Sequence, residues 1–384
     1  MIDSLIVDYI RTPISRSRPD QPEKDAFNAI RADDLAGICI NELLKRNPGL
    51  PTERIDDCLI GCAFPMGENW TDGARLVTLA AGLPFDVPAV SIDRQCASSL
   101  TTVQTGAMEI MTGMSDVVLA GGMEHMTRVP MSVDSRFAIN EKIMSGERFD
   151  PTVALNMGLT AEKLFAESGL SKEDMDSWSL RSHQRAAAAQ AEGYLAGEIV
   201  PVGDITEDQS IRGDTTLDKI AGLKPAFKED GFITAGNSSP LNAGAAFTIL
   251  ANPRVAEEFG LKGLAAIKAT SVAGVDPTVM GKGPVPASRK LLEKAGLKAE
   301  DIDYWEINEA FAIVPLYAIQ ELGLDPERVN IKGGAIAIGH PLGASGARIT
   351  GTLARILNEK DARYGVATLC VGAGQGAAIL LERI

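Results

Sequence analysis

Two cysteines and one histidine stand in short segments of small residues that follow apolar runs of the sequence. Cys96 lies in the segment DRQCASS, and Cys370 lies in LCVGAGQG. His340 ends a glycine-rich stretch and is followed by Pro341, which fixes φ and has no N–H to donate. The thiolate is the reactive form of cysteine, and small residues let backbone amides approach a substrate. One thiol could therefore be a nucleophile and the other an acid or base, with the imidazole tuning either.

The surroundings of Cys96 predict a turn from a strand into a helix. The run Val90-Ser91-Ile92 alternates like a strand, and apolar residues then recur at positions 100, 103, 107 and 110. A thiol at a helix N-terminus faces unpaired amide protons and the positive end of the helix dipole, which lowers its pKa. We interpret Cys96 as a nucleophile, and a small buried thiol is the alternative.

Five polar residues differ in what their positions indicate. His340 is expected to be functional, because it stands in a glycine-rich loop between a strand and a helix. His125 is expected to be structural, and His183 to be solvated on a polar helix. Asn308 and Glu309 end a strand in apolar surroundings, so each must be satisfied or must serve a ligand. For Glu309, a structural anchor and a catalytic group both stay open.

The glycines at positions 372, 374 and 376 imitate a dinucleotide-binding fingerprint. The third glycine comes one residue early, and no βαβ unit of about 30 residues follows it. We therefore interpret these glycines as places where backbone amides approach a reacting carbonyl oxygen.

Composition excludes several classes of protein. The chain has 384 residues, 45% hydrophobic residues and a net charge of −14, as in a globular protein with two or three domains. The negative charge argues against nucleic acid or anionic membrane as a partner. An anionic substrate would need a local basic patch. No apolar run reaches the roughly 18 residues of a membrane span, and no signal or transit peptide is recognised.

Cysteine and histidine usage indicates a reducing compartment without a metal site. Five cysteines are an odd number without tight spacing, so we expect a cytoplasmic protein. Cys39, Cys58 and Cys62 lie in apolar patterns and are predicted to belong to the core. No CxxC is present, and the three histidines are too far apart to suggest zinc.

The sequence contains an internal duplication. A helix–turn–strand pattern in residues 43–64 recurs in residues 291–311, and a second one in residues 98–122 recurs in residues 345–372. Two α/β halves of this kind should pair their sheets, with helices on both sides. We predict an N-terminal half at 1–124 completed by about 242–263, an inserted loop domain at 125–241, and a C-terminal half at 264–384.

The chain resembles the thiolase family over nearly its full length. The matching segments, in the family's order, are RQCASS (94–99), GGMEHM (121–126), MGLTAE (157–162), TAGNSS (234–239), MGKGPVP (280–286), NEAFA (308–312), GHP (339–341) and CVG (370–372). The resemblance implies an α/β thiolase fold. Two duplicated βαβαβαββ halves would form a five-layered α-β-α-β-α sandwich, with a loop domain that covers coenzyme A.

Within the family, the likeness is greatest to degradative 3-ketoacyl-CoA thiolases, including the thiolase subunit of the bacterial fatty-acid oxidation complex. Asn156 stands where biosynthetic acetoacetyl-CoA thiolases usually have histidine, and Ala243 replaces a usual aspartate. The implied activity is cleavage of 3-ketoacyl-CoA by coenzyme A in β-oxidation, that of an acetyl-CoA C-acyltransferase. The alternatives are a condensing enzyme that forms acetoacetyl-CoA and a non-catalytic acyl-CoA binder.

The resemblance also implies roles for single residues. Cys96 would be the nucleophile, His340 its base, Cys370 the second acid/base, Asn308 the holder of a water, and Gly372 an oxyanion donor. Residues implied to contact coenzyme A are Met157, Arg212, Ser239, Met280 and Phe311. Coenzyme A is a substrate, and no metal or other cofactor is implied. A homodimer or homotetramer paired through the N-terminal halves is expected, and a hydratase/dehydrogenase subunit is a further candidate partner.

Overall fold

A single mixed β-sheet forms the frame of the protein. The computed structural model describes residues 3–131 and 139–384. Within these ranges nine strands follow one another in the order β4-β3-β5-β6-β1-β7-β10-β9-β8, and a tenth, β2, pairs with β6. The N-terminal elements are β1 (Ser4–Arg11), β2 (Ser15–Arg16), α1 (Ala32–Arg46), β3 (Asp57–Gly61), α2 (Arg75–Ala80), β4 (Ala89–Ile92), α3 (Ser98–Thr112) and β5 (Val117–His125).

Five α-helices lie between β5 and the next strand in the described part of the chain. They comprise α4 (Glu141–Met144), α5 (Pro151–Ala154), α6 (Met157–Ser168), α7 (Lys172–Ala191) and α8 (Leu217–Ala221). The chain then continues through β6 (Asn242–Ala251) and α9 (Pro253–Glu258). Part of the predicted loop domain, residues 132–138, lies outside the described residues. The division into two halves and a loop domain stays a prediction.

The remaining elements repeat the N-terminal plan. They are β7 (Ala265–Gly274), α10 (Pro284–Ala295), β8 (Tyr304–Ile307), α11 (Ile313–Leu322), α12 (Ala335–Ile338), α13 (Leu342–Glu359), β9 (Tyr364–Val371) and β10 (Gln375–Arg383). Short 3₁₀ helices occur at Pro22–Lys24, Thr52–Arg54, Gly67–Asn69, Gln95–Ala97, Leu195–Glu198, Pro277–Lys282, Ala299–Asp301 and Pro326–Arg328.

The topology confirms the predicted internal duplication. The strand order β1-β6-β5-β3 on one side matches β7-β10-β9-β8 on the other. In each repeat two antiparallel pairings are followed by a parallel one. In the first repeat β6 pairs antiparallel with β1 and β5, and β5 pairs parallel with β3. In the second repeat β10 pairs antiparallel with β7 and β9, and β9 pairs parallel with β8. The two half-sheets join where Ser4–Ile6 of β1 pair antiparallel with residues 265–267 of β7.

Helices cover and separate the half-sheets, which confirms the predicted five-layered fold. The central layer is α3 and α13, which pack on each other and contact strands of both halves. Their apolar residues form one buried cluster, including Leu100, Val103, Ile349 and Leu353. The outer layers contain α1 against the N-terminal half-sheet and α10 against the C-terminal half-sheet.

The two central helices begin next to the candidate catalytic residues. The apolar positions of α3 recur every three or four residues, so one stripe faces the core, and the helix ends at Gly113 in the left-handed conformation that terminates helices. A 3₁₀ turn that contains Cys96 leads into α3, and His340 stands two residues before α13. The packing of α3 on α13 therefore fixes the distance between these two segments. None of the helices in the described ranges is long and apolar enough to cross a lipid bilayer.

Candidate active site

Cys96 lies at a strained turn between β4 and α3. Gln95, the residue before it, has φ +47°, a left-handed conformation that is uncommon for a residue with a side chain. Its backbone is held there by three contacts: its N–H donates to Asp93 Oδ1 at 2.7 Å, its carbonyl accepts from Ser98 Oγ at 2.6 Å, and its side-chain amide donates to the Ala63 carbonyl at 3.2 Å. Backbone strain that is held in this way is typical of functional sites.

The thiol of Cys96 does not have the lowered pKa that its helix position predicts. Burial raises the pKa of Cys96 to about 11, although the backbone amides of Gly372 and of Cys96 itself favour the thiolate. The carboxylates of Glu124 and Asp93 raise it further. The expectation was wrong because it omitted the desolvation that covering segments from elsewhere in the chain impose on the thiol. The thiol is therefore protonated at neutral pH and needs a base.

Cys370 lies close to Cys96 at the end of β9. Its side chain is fully buried. Burial raises the pKa of Cys370 well above its usual range, and the nearby thiolate form of Cys96 raises it further. Gly372 follows two residues later and presents its amide to the Cys96 sulfur. The structure thus brings together three of the predicted catalytic residues, and it keeps the Cys370 thiol protonated.

The other two glycines of this segment serve a different purpose from the one predicted. A Cβ at Gly376 would lie 1.9 Å from the Gly283 carbonyl oxygen, and one at Gly374 would lie 2.5 Å from that of Val275. Gly374 also has φ +81°. These two glycines allow the chain to pack against its own backbone, so of the three only Gly372 faces the Cys96 sulfur.

His340 has a defined tautomer and is neutral. Its Nδ1 lies 2.6 Å from Ser345 Oγ, and the Ser345 hydroxyl donates to the Pro341 carbonyl at 2.9 Å. Ser345 must therefore accept from Nδ1–H, which leaves Nε2 as the acceptor for Asn308 Nδ2 at 3.2 Å. Burial lowers the pKa of His340 to about 3, and the charge of Arg348 lowers it further. At neutral pH Nε2 therefore carries no proton and can accept one.

The loop of His340 reaches the Cys96 side of the site through its neighbours. Leu342, two residues after His340, packs in the same apolar cluster as Cys96, together with Ala63 and Met126. The backbone N–H of His340 donates to Asn242 Oδ1 at 2.7 Å. The predicted catalytic residues from both repeats therefore meet at one end of the central helix pair.

Glu309 proves to be an anchor. Its two oxygens accept from Trp178 Nε1 at 2.9 Å, Ser182 Oγ at 2.6 Å, Asn330 Nδ2 at 2.9 Å and the Ile336 amide at 3.2 Å. These donors come from α7, α12 and the loop between α11 and α12. Because the carboxylate is saturated with donors, the structure favours the anchor over the catalytic alternative.

A basic cavity of about 310 Å³ opens near the site. Its cationic lining residues are Arg16, Arg212 and Lys219, against one carboxylate, Asp214. The net charge of the chain is −14, so an anionic substrate was expected to need a local basic patch of this kind. Of the predicted coenzyme A contacts, Arg212 lines this cavity directly.

The remaining predicted coenzyme A contacts are spread between this cavity and the core. Ser239 stands between two lining residues, and its N–H donates to the Ala310 carbonyl at 3.0 Å. Phe311 pairs with Ser238 through a β-bridge and lies edge-on to the Phe227 ring. The Met157 sulfur faces Gly372, whereas Met280 is buried in the core cluster of the C-terminal half.

His183 is buried and lines the cavity, so the prediction of a solvated histidine was wrong. Its Nδ1 accepts from the Arg212 backbone N–H at 3.3 Å. Burial lowers the pKa of His183 to about 4, helped by the charge of Arg212. The segment around Arg212 covers one face of α7, which a polar helical pattern cannot reveal. His125 is buried with Nε2 3.0 Å from the Phe27 carbonyl, as expected of a structural histidine.

Three residues of the site were not predicted from the sequence. Ser345 sets the tautomer of His340, Arg16 adds a cation to the cavity, and Glu124 places a buried carboxylate beside Cys96. Only Glu124 carried a signal, because it is a charged residue inside the apolar run of β5. No cluster of histidine, cysteine or acidic residues suited to a metal ion occurs in the part of the chain that the structure describes. Cys39, Cys58 and Cys62 are buried, as predicted.

Two family models cover almost the whole chain. Residues 4–254 match "Thiolase, N-terminal domain" and residues 261–383 match "Thiolase, C-terminal domain". A 3-ketoacyl-CoA thiolase of Saccharophagus degradans is 43% identical, over all of this chain and 98% of that protein. A 3-oxoadipyl-CoA/3-oxo-5,6-dehydrosuberyl-CoA thiolase of Escherichia coli is 45% identical over the full length of both.

A solved structure has the same fold. The acetyl-CoA acetyltransferase of Bacillus anthracis superposes with a TM-score of 0.89 at 37% identity, covering 100% of this chain and 99% of that one. Fold and comparisons together define an acyltransferase. The chain belongs to the thiolase family.

Proposed function

We propose that the protein is a 3-ketoacyl-CoA thiolase, which uses coenzyme A to cleave 3-ketoacyl-CoA into acetyl-CoA and a shortened acyl-CoA. The observation that carries the proposal is the pair of thiols, with the buried Cys370 in electrostatic contact with Cys96 and the Gly372 amide at the Cys96 sulfur. A nucleophile beside a separate proton donor suits C–C bond cleavage, since the nucleophile attacks one carbon and the carbanion that leaves must be protonated.

In the acylation step, His340 Nε2 takes the thiol proton of Cys96, and the thiolate attacks C3 of the substrate. Neutral His340 suits this role because Ser345 keeps Nε2 free of a proton. The negative oxygen of the tetrahedral adduct accepts from the Gly372 and Cys96 amides. Removal of one such donor from an enzyme typically costs about 2.7–4 kcal/mol of transition-state stabilisation.

In the cleavage step, the C2–C3 bond breaks and its electron pair moves to C2, giving the enolate of acetyl-CoA. Asn308 and protonated His340 stabilise the thioester oxygen of this enolate, with a water held by Asn308. Cys370 then gives its proton to C2, and acetyl-CoA leaves. The raised pKa of Cys370 supports this role, because an acid must still hold its proton when it is needed.

In the thiolysis step, the Cys370 thiolate takes the proton of the incoming coenzyme A thiol. The new thiolate attacks the acyl group on Cys96, and the Cys96 sulfur leaves and recovers its proton from His340. Both cysteines end in their starting protonation states. Coenzyme A is a substrate here, and the proposed reaction uses no metal or redox cofactor.

Coenzyme A is proposed to bind in the basic cavity with its nucleotide phosphates toward Arg16 and Arg212. The cavity lies beside Ser238 and Ile336, and Phe311 pairs with Ser238 on the catalytic side. A pantetheine arm that starts at these arginines would therefore enter the site along the segment around Ser239. Met157 and Met280 are proposed to line its apolar end.

We also propose a homodimer that associates through the edge of the N-terminal half, with a homotetramer or a hydratase/dehydrogenase partner as further assembly. The β4 strand is a sheet edge, and Trp70, Leu76 and Phe85 near it expose 58%, 46% and 85% of their surface. Exposed aromatic residues beside an open strand edge favour a protein partner. A cytoplasmic location is proposed, supported by the five free cysteines of the chain.

The test is cleavage of a short and a long 3-ketoacyl-CoA with and without coenzyme A, using Cys96→Ala as control. Cleavage that needs coenzyme A and disappears in the variant supports the thiolase, and the ratio of the two rates gives its chain preference. Binding of acyl-CoA without cleavage would favour the non-catalytic alternative. Net formation of acetoacetyl-CoA from acetyl-CoA, with little cleavage of long substrates, would favour the condensing enzyme.

A further inference from the structure

A buried carboxylate that the proposed mechanism does not use lies beside the catalytic cysteine. Glu124 stands in β5, all of whose residues are buried, and its own side chain is fully inaccessible. Among the described residues its contacts are backbone amides, Asn69 and the Cys62 thiol, with no lysine or arginine in ion-pair range. Burial of an unpaired carboxylate costs free energy. Its presence therefore calls for a functional reason.

The two oxygens of Glu124 hold several chain segments. Oε2 accepts from the Ala63 amide at 2.9 Å and from the Gly343 amide at 3.0 Å. Oε1 accepts from Asn69 Nδ2 at 3.0 Å and from the Cys62 thiol at 3.5 Å. A single oxygen thus joins the segment after β3, in the N-terminal repeat, to the first turn of α13, in the C-terminal repeat.

Each of these segments leads directly to a catalytic residue. The Ala63 carbonyl accepts from Gln95 Nε2 at 3.2 Å, and Gln95 is the left-handed residue that precedes Cys96. On the other side, Gly343 lies three residues after His340 and at the start of the helix that carries Ser345. One chain of contacts therefore connects the two catalytic loops. It runs from Gln95, next to Cys96, through Ala63 and Glu124 Oε2 to Gly343, three residues after His340.

The backbone around Glu124 is packed too closely for the segments to be spaced in another way. A Cβ on Gly343 would lie 2.2 Å from the Met123 carbonyl oxygen and 2.9 Å from Cys62 Cα. One on Gly122 would lie 2.1 Å from the Gly343 carbonyl oxygen. The first turn of α13 thus rests directly on β5, and Glu124 supplies the acceptor that its amide needs there.

We infer that Glu124 is a positioning residue, whose carboxylate holds the loop before Cys96 and the loop after His340 in the arrangement that acyl transfer requires. The inference rests on the proposed function for its reaction, but the geometry of the two loops does not depend on the substrate. Among the residues that the structure describes, the titratable groups that face the carboxylate are the thiols of Cys62 and Cys96. Glu124 itself touches no reacting atom.

The test compares two substitutions with a control. Glu124→Gln keeps the length of the side chain and removes the charge, and Glu124→Asp keeps the charge but is one methylene too short to reach both amides. Both should lower kcat for acetoacetyl-CoA cleavage by about 10- to 100-fold, because misplacement of catalytic groups by about 1 Å has effects of that size. KM for coenzyme A should change less than about twofold, since the basic cavity is untouched.

The control is Glu198→Gln, which removes another fully buried carboxylate, one that pairs with Arg11 and Arg355. It should lower the melting temperature without lowering kcat per folded molecule. Wild-type kcat in Glu124→Gln overturns the inference. A loss of kcat in the two Glu124 variants also overturns it if Glu198→Gln, at a similarly lowered melting temperature, loses kcat to the same extent.

A substrate-independent measurement separates this inference from the proposed function. The rate at which iodoacetamide alkylates Cys96 should differ from wild type at least threefold in Glu124→Asp, which keeps the charge beside the thiol, even if the wild type cleaves no 3-ketoacyl-CoA. An unchanged alkylation rate overturns the inference, whatever the cleavage assay shows. If neither Glu124 variant folds, Gln95→Leu decides, because it breaks the next hydrogen bond in the chain: an altered alkylation rate supports the inference, and a wild-type rate overturns it.

Discussion

His340 Nδ1 lies 2.6 Å from the Ser345 hydroxyl, whose own proton is donated to the Pro341 carbonyl. This hydroxyl can only accept from the ring, so the imidazole carries its proton on Nδ1 and presents a lone pair at Nε2. A serine hydroxyl thus decides which nitrogen of the histidine is free to act as a base.

Removal of this hydroxyl should impair catalysis. In Ser345→Ala the buried Nδ1–H loses its acceptor, and the ring is free to adopt the other tautomer. A loss of about 1–2 kcal/mol corresponds to a roughly 5- to 30-fold lower kcat for cleavage of 3-ketoacyl-CoA. Ser288→Ala is the control, because the Ser288 hydroxyl is buried without a partner among the described residues. Equal kcat values for the two variants would contradict the assigned tautomer.

The reactivity of Cys96 in the free enzyme should depend steeply on pH. Because burial raises the pKa of Cys96 to about 11, the thiolate fraction rises about tenfold per pH unit between pH 7 and pH 9. His340 has a pKa of about 3 and so remains neutral throughout this range. Iodoacetamide alkylation, followed by intact mass and peptide mapping, measures this directly. A rate that is constant from pH 6 to pH 9 would instead indicate a preformed thiolate–imidazolium pair.

The buried carboxylate of Glu124 should make stability depend on pH. Burial raises the pKa of Glu124 to about 7, so the folded state binds a proton that the unfolded state releases near its ordinary value of 4.5. Its contribution to the free energy of unfolding therefore falls as pH rises from about 4.5 to 7, by about 3 kcal/mol in total.

Glu124→Gln removes this titration. The free energy of unfolding of the variant, relative to that of wild type, should therefore increase between pH 5 and pH 8.5 by up to about 3 kcal/mol. Urea unfolding at the two pH values measures the difference. If the stability difference between variant and wild type is the same at both pH values, the carboxylate is ionised at both.

The arginines of the basic cavity should determine the affinity for coenzyme A. Burial lowers the pKa of Arg16, and the charges of Arg18 and Arg212 lower it further, so an anion bound beside Arg16 and Arg212 relieves repulsion. Arg16→Gln and Arg212→Gln should each raise KM for coenzyme A about 5- to 20-fold at low salt, and less at high salt. Lys360→Gln, at a separate cavity, serves as the control. An unchanged KM in both arginine variants would place the nucleotide elsewhere.

The exposed edge of the N-terminal half should mediate association. Phe85→Glu replaces a ring that is 85% exposed with a charge, and it should convert the proposed dimer to a monomer at micromolar concentration without unfolding the protein. Sedimentation velocity measures the mass of the particle. Met114→Glu is the matched control, because Met114 is 73% exposed and stands outside the β4 edge region. A Phe85→Glu protein that stays dimeric would place the interface on another surface.

Local patterns in the sequence were enough to locate the central elements and their reactive ends. The apolar spacing of α3 and its glycine cap depend only on neighbours along the chain, as does the turn that carries Cys96. The duplication was visible because both repeats keep the same helix–turn–strand order. These features need no knowledge of tertiary contacts.

What the sequence could not supply depends on partners far apart in the chain. Glu124 contacts amides 61 and 219 residues away, and no local pattern predicts either contact. The pKa of Cys96 and the burial of His183 were mispredicted for the same reason, since desolvation is imposed by whatever segment covers the residue. Gly374 and Gly376 were misread because their close neighbour is the protein's own backbone.

The short ladder between β1 and β7 has a consequence for any attempt to divide the protein. At this ladder the backbone N–H and C=O groups of Ser4–Ile6 find their partners in the other repeat, at residues 265–267. A fragment holding one repeat would leave that strand end open to water, together with the inner face of its central helix. Such a fragment is expected to self-associate through the bared edge. A split-protein reporter built on this chain should therefore be cut elsewhere, in an exposed loop within one repeat.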